Sequence, residues 1–288
     1  MIKAIDVIKN GLLDSKKRIL SAKFWTALLL VLALSLATTP NLNRVSEQIG
    51  EGISIGIISC IFDNKHFSAF YGIIVCYLLS EIPFFNANEL FTIMRMGRRK
   101  WFATKAVSMA ITLFLFTCCS FVVCFMSLFP DISITNEWGK VIMTLAYSAN
   151  YMGYITLICN PSPEIVGEYQ PYDAIGLCFI MVWLVSLLLG LMMYAISIYW
   201  NRFAAIVIAS VVCMLGLSEQ LFITCGFLPY LSVCMWYRLS TYGTLIMGDI
   251  YYPELSPYVI LLVIMLVTLT TASAIKIKHT EFDWISET

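Results

Sequence analysis

Of 288 residues, 60% are hydrophobic and only 12% are charged, against roughly 25% in an ordinary soluble domain. Lys plus Arg equals Asp plus Glu at 18 each, so no net field exists to attract nucleic acid. The apolar runs outnumber what a soluble core needs, which excludes a soluble domain and predicts an integral membrane protein.

The first 23 residues carry six basic groups, with Ile5, Ile8, Leu12, Ile19 and Leu20 near one helical face and Lys9, Lys16 and Lys17 elsewhere. That pattern predicts an amphipathic helix on the inner leaflet; a basic tail that only sets topology is the alternative. The absence of a compact apolar core before Phe24 is unlike a signal peptide. Six spans follow, at about 24–39, 67–85, 106–129, 174–200, 204–222 and 258–277. Most approach the ~20 residues that cross a ~30 Å hydrocarbon core, and each must be helical because hydrocarbon offers a free backbone no partner. The fold class is thus all-α, a single transmembrane domain over 1–288.

With a cytoplasmic N-terminus, fourteen of the 18 basic residues fall inside and four (Arg44, Lys65, Lys140, Arg238) outside. The excess of inner cations fixes both termini in the cytoplasm of a multi-pass protein. Most outer residues that ionise are acidic, leaving that face net negative.

Between the second and third spans, segment 86–105 contains "ELFTIMRMGRRKWFATKA". Leu90, Ile93, Met94, Gly97 and Trp101 recur at three- and four-residue steps, as along one face of a short helix. Asn86 and Asn88 supply N-cap candidates, Glu89 suits the positive end of the helix dipole, and Gly97 permits a turn before the third span. Arg95, Arg98, Arg99 and Lys100 make the element strongly basic. Too short for a nucleic-acid surface, it suits anionic lipid or a soluble partner.

Of ten cysteines, Cys76, Cys118, Cys119, Cys124, Cys178 and Cys213 fall within spans and read as small hydrophobes. Cys60, Cys159, Cys225 and Cys234 lie in or beside outer segments, where a pair is an alternative to packing. Nothing resembles a metal site: there is no CxxC and only His66 and His279. The chain lacks GxxxxGK[ST], HExxH and GxSxG, and its span middles carry essentially no ionisable group. No catalytic, cofactor or metal residue is therefore assigned. Outer segments 130–173 and 223–257 are rich in apolar and aromatic residues, which predicts partly inserted or surface-lying helices. Tyr230, Trp236, Tyr237, Tyr242, Tyr251 and Tyr252 suit the water–lipid interface.

The basic element, followed by Trp101, Phe102 and Lys105, resembles the permease subunits of bacterial ABC-2 type exporters. Their pattern is a cytoplasmic amphipathic helix, R-x-G-R/S-R/K-x-W/F, then a Lys before span three. Six spans, inside termini, an N-terminal surface helix and a broken apolar segment before the last span are also similar; the long 130–172 segment departs from the pattern. The resemblance implies a permease in the bacterial cell membrane without its own nucleotide site, served by a separate ATPase, expected in two copies, which carries ATP and Mg. It further implies a second permease copy or a related subunit, membrane lipids as neighbours, no nucleic acid, and an amphipathic or hydrophobic cargo moved outward. Glu89, Leu90, Ile93, Met94, Arg95, Gly97, Arg98, Arg99, Lys100 and Trp101 become the ATPase-coupling element. Alternative readings are an ATPase-independent membrane enzyme or assembly factor, and a sensor or immunity protein that binds an external peptide.

Overall fold

The chain was analysed as a computed structural model that describes residues 4–81, 89–129, 131–147, 159, 161–215, 217, 232–242, 245–246, 250–251 and 254–279. Helix α1 (Ala4–Ile19) meets α2 (Ala22–Thr38) at a 62° bend. Ser21 caps α2, its Oγ accepting the Phe24 N–H at 3.4 Å. α3 (Pro40–Ile49), strand β1 (Ile53–Ser54), α4 (Ile57–Asp63) and α5 (Lys65–Leu78) follow, with a 3-10 turn at Leu79–Glu81. α6 (Glu89–Met96) and α7 (Arg98–Met126) flank Gly97. Next come β2 (Ile132–Ser133), α8 (Gly139–Tyr147), α9 (Pro163–Glu168), α10 (Pro171–Tyr199) and α11 (Arg202–Leu215). The chain continues with α12 (Val233–Tyr237), a 3-10 turn at Leu239–Thr241, β3 (Leu245–Ile246), β4 (Ile250–Tyr251) and α13 (Leu255–His279).

Among the described residues, three helices, α7, α10 and α13, are long and apolar enough to cross a membrane, and the bent α1–α2 pair, counted as one span, would make a fourth. The described part is mostly helical, as an all-α membrane protein requires. Six spans were expected, and the described part of each lies mainly in a helix, but two of those helices fall short of spanning length. α5 and α11 have 14 residues each, about 21 Å at ~1.5 Å per residue. α5 starts where Asn64 Oδ1 accepts the His66 and Phe67 N–H groups, at 2.9 and 3.2 Å. Its α-helical ladder gives way to a 3-10 turn at Leu79, short of the predicted end at 85. Beyond Leu215 most of the predicted fifth span lies outside the described residues. The third begins eight residues earlier than predicted, since Arg98–Lys105 forms the first turns of α7.

α10 packs on α13, α11, α7 and α5, and places α7 and α10 at the centre. An aromatic seam runs through Phe62, Tyr71, Phe116, Phe121 and Tyr237, with the Phe62 and Phe121 rings stacked 4.8 Å apart. α13 encloses little of itself: Ile260, Leu261, Val263, Ile264 and Val267 are exposed, a face suited to hydrocarbon. At Gly190, in the middle of α10, a Cβ would lie 2.7 Å from Met109 Sδ and 2.9 Å from Leu79 Cδ1. These are flexible side-chain ends, so Gly190→Ala is expected to be tolerated. Gly190→Leu should destabilise by about 1–3 kcal/mol through overpacking, read as a lowered melting temperature in detergent.

The predicted outer segments are more ordered in pattern than loops. β1 and β2 pair in parallel, Ile53 opposite Ile132 and Ser54 opposite Ser133, joining two segments that were read separately. β3 and β4 pair antiparallel. Neither ladder is foreseeable from two-residue strands.

Candidate coupling surface

α1 has two faces of different chemistry. Val7, Gly11 and Ser15, at four-residue steps, are buried, and α1 lies along α7. Ile8, Leu12, Leu13 and Leu20 are exposed. The sequence reading found only the second face, because small residues carry little hydrophobic signal although they let helices approach closely.

One charged group fixes α1 on α7. Asp14 Oδ2 accepts from Arg18 Nη2 at 2.9 Å, Arg18 Nε at 3.2 Å and Lys105 Nζ at 3.3 Å. Lys105 is 7% exposed, so its ammonium meets this carboxylate where water has little access. Burial pushes the Asp14 carboxyl up, but the Arg18 and Lys105 cations outweigh it and hold it below its ordinary value. Asp14 was not singled out from the sequence, though an acid four residues before Arg18 in a basic helix is a legible sign.

α6 is a short separate helix. Its axis ends at Gly97, where φ is 82° and ψ 149°; Gly97 N–H still donates to Ile93 O at 2.8 Å, and Trp101 N–H donates to Gly97 O at 3.0 Å. The predicted continuous face from Leu90 to Trp101 is therefore broken at Gly97. Ile93 and Trp101 nevertheless belong, with Phe102, Tyr194 and Ile277, to one small buried apolar cluster apart from the main core. Phe102 and Tyr194 have ring centroids 5.2 Å apart. This cluster fastens α6 to the ends of α7, α10 and α13. Asn10 Nδ2 lies 3.9 Å from Met96 Sδ, so α1 also reaches α6.

The remaining predicted residues divide by exposure. Glu89 and Leu90 occupy the first turn of α6; Asn86 and Asn88, the predicted caps, lie outside the described residues. Met94 is 72% exposed, Arg95, Arg98 and Arg99 are exposed, and Lys100 is half-buried. Arg95 is in the last turn of α6, where a cation suits the dipole. Arg98, Arg99 and Lys100 instead crowd the positive end of α7, whose first turn has no acidic residue. Cations there cost up to about 1 kcal/mol each at low salt. An anionic surface facing them would offset that cost.

Two further cations meet at the end of α5. Lys23 Nζ donates to Ser80 Oγ at 3.3 Å and Arg202 Nη2 to Ser80 O at 3.0 Å. Lys276 Nζ stands 5.3 Å from the Tyr199 ring centroid. These links gather α2, α5, α11, α10 and α13 at the same basic end. The sequence showed each charge but not these pairings between distant segments.

At the other end, Cys60 and Cys159 are buried free thiols. Burial pushes both up, followed for Cys60 by the Asp63 carboxylate and for Cys159 by the Cys60 thiolate form. Cys225 and the side chain of Cys234 lie outside the described residues. Asp63 is itself buried and accepts the Ser240 N–H at 3.0 Å. Trp236, Tyr237 and Tyr242 are buried, not arrayed at an interface. Trp236 packs edge-on to Tyr258, and Tyr242 donates its O–H to Trp236 O at 2.8 Å. The aromatic enrichment thus marks a packed core at these three positions; Tyr230, Tyr252 and the side chain of Tyr251 lie outside the described residues. Among the described residues, no group of three His, Cys, Asp or Glu side chains is placed to hold a metal. Comparisons with protein-family models, curated proteins and solved structures gave no match.

Proposed function

We propose that this chain is the permease subunit of an ATP-driven ABC exporter and that α6, Gly97 and the first turn of α7 receive a separate ATPase subunit. The observation that carries this reading is the two-sided character of α6. Ile93 anchors it to α7, α10 and α13 through the small apolar cluster. Met94 and Arg95 stand exposed beside Arg98 and Arg99. A partner that pressed on the exposed side would displace the ends of the long helices, since a packed cluster transmits movement instead of absorbing it.

In this reading the basic end faces the cytoplasm of a bacterial cell, and α1 rests on the inner leaflet. Two ATPase copies, carrying ATP and Mg, engage two permease copies or this chain with a related one. Nucleotide-driven closure shifts the population between conformers of the bundle, and an amphipathic or hydrophobic cargo leaves outward. The permease supplies the path and the partner supplies hydrolysis.

The test is purification of the tagged chain from native membranes in mild detergent, with an ATPase assay on the eluate. Wild type is expected to retain a stoichiometric ATPase. A variant combining Arg95→Glu, Arg98→Glu and Arg99→Glu should retain at least about ten-fold less, since like charges against a complementary surface cost several kcal/mol. Its melting temperature should change little, because Arg98→Glu and Arg99→Glu relieve repulsion at the α7 terminus while Arg95→Glu gives up a favourable charge at the end of α6. A wild-type chain that runs alone and without ATPase activity after membrane cross-linking would remove the permease reading. Full ATPase retention by the variant would remove the docking assignment.

A further inference from the structure

A second feature lies away from the coupling surface and does not depend on that reading. Between the β2–α8 connection and the α9–α10 junction is an open cleft of about 660 Å³, within the roughly 300–1,000 Å³ of sites that take drug-sized ligands. Its wall includes Asn136, Glu137, Trp138, Val166, Tyr169 and Gln170.

The cleft is held in shape by its own hydrogen bonds. Trp138 is 7% exposed, and its Nε1–H donates to Tyr169 O at 2.9 Å. The ring is also wedged: a Cβ at Gly56 would lie 2.7 Å from it and 2.9 Å from Pro171 Cβ. Asn136 Nδ2 donates to Gln170 Oε1 at 3.0 Å, and Asn136 Oδ1 accepts the Tyr172 N–H at 3.4 Å. The wall therefore sets the half-buried Tyr169 ring, backed by the buried Trp138, beside fixed amides.

Charge decides what it takes. Residues 131–173 carry Asp131, Glu137, Glu164, Glu168 and Asp173 against one base, Lys140. Lys140 is paired with the Glu51 carboxylate. The positive terminus of α10 is met within the chain by Asp173 in its first turn and by Asn136 Oδ1. Glu137 is in the wall itself, and the exposed Glu168 ends α9 directly before Tyr169, at the edge of the cleft.

We propose that this cleft binds a short cationic peptide segment that carries an apolar side chain. Glu137 and Glu168 attract the cation, the Trp138 and Tyr169 wall takes the apolar side chain, and the Asn136 and Gln170 amides meet the peptide backbone. The chemistry is that of a wet, complementary site in which charge sets specificity.

The experiment uses the full chain in a nanodisc of neutral lipid and two fluorescent probes. One is an amidated tetrapeptide alternating lysine with phenylalanine; the other is its glutamate counterpart. The lysine probe should bind at least about ten-fold more tightly, with the preference shrinking as salt rises. Glu137→Gln should weaken it about five-fold and Glu137→Gln with Glu168→Gln about twenty-fold, as rim charges of about 1 kcal/mol each give. The exposed Glu254→Gln, outside the cleft, should change it less than about two-fold. Equal binding of the two probes, equal weakening by Glu254→Gln, or no binding of the lysine probe up to millimolar concentration would overturn the proposal. No nucleotide or ATPase is present, so failure here leaves the coupling reading to its own test.

Discussion

Gly97→Val is expected to abolish most coupling while the helices survive. At φ 82° and ψ 149°, Gly97 occupies backbone space that is essentially closed to other residues. No atom lies within 4 Å of a Cβ placed there, so the cost is one of backbone conformation and not of collision. Strain of about 1–3 kcal/mol corresponds to roughly a five- to 150-fold loss of chains in which α6 keeps its present direction. The checks are retention of ATPase and cargo transport in vesicles, each set beside helical content and melting temperature. Loss of at least about ten-fold in coupling with native helical content supports the assignment. A variant that couples normally would show that Gly97 does not set the aim of α6.

Disruption of the Asp14–Lys105 pair should produce the second large effect. Asp14→Asn leaves the Lys105 ammonium buried with a weaker partner. Removing one member of a fully buried pair costs about 3–5 kcal/mol. The Asp14 side chain is 25% exposed and also holds Arg18, so a loss of about 1–3 kcal/mol is expected after allowance for solvent screening. Lys105→Met should cost less, since it removes the buried charge itself. The double variant should recover part of the Asp14→Asn loss, and its melting temperature tests this. Purely additive losses would mean that the two groups do not depend on each other.

The pH dependence has a defined sign. Because the folded chain holds the Asp14 carboxyl below its ordinary value of 3.8, protonation is harder in the folded state than in the unfolded one. Its stabilising contribution is therefore complete above about pH 4 and is lost as the pH falls through the depressed value. Acid melts of wild type and Asp14→Asn should converge in that window.

Apolar run length located the three helices long enough to cross a membrane, α7, α10 and α13, and a glycine between two basic stretches located the break at Gly97. Those features are local, and local patterns are what a single sequence exposes. The start of α7 was placed late because Arg98, Arg99, Lys100 and Lys105 look like membrane-surface residues, yet the helix runs through them and buries Trp101, Phe102 and Lys105. Trp236, Tyr237 and Tyr242 misled for a related reason: rings with a polar tip suit a lipid interface or a hydrogen-bonded core equally well. Pairings across long stretches of chain, such as Asp14 with Lys105 or β1 with β2, leave no mark in either partner alone. Of the coupling surface, residue identity was legible. Its division into buried anchors (Ile93, Trp101) and exposed contacts (Met94, Arg95, Arg98, Arg99) needed the fold.

The apolar cluster around Ile93 and Trp101 is separate from the core that joins the rest of the bundle. Its five buried side chains can part without uncovering the aromatic seam. Local opening at this end thus has a free-energy cost of its own, lower than that of unfolding the bundle.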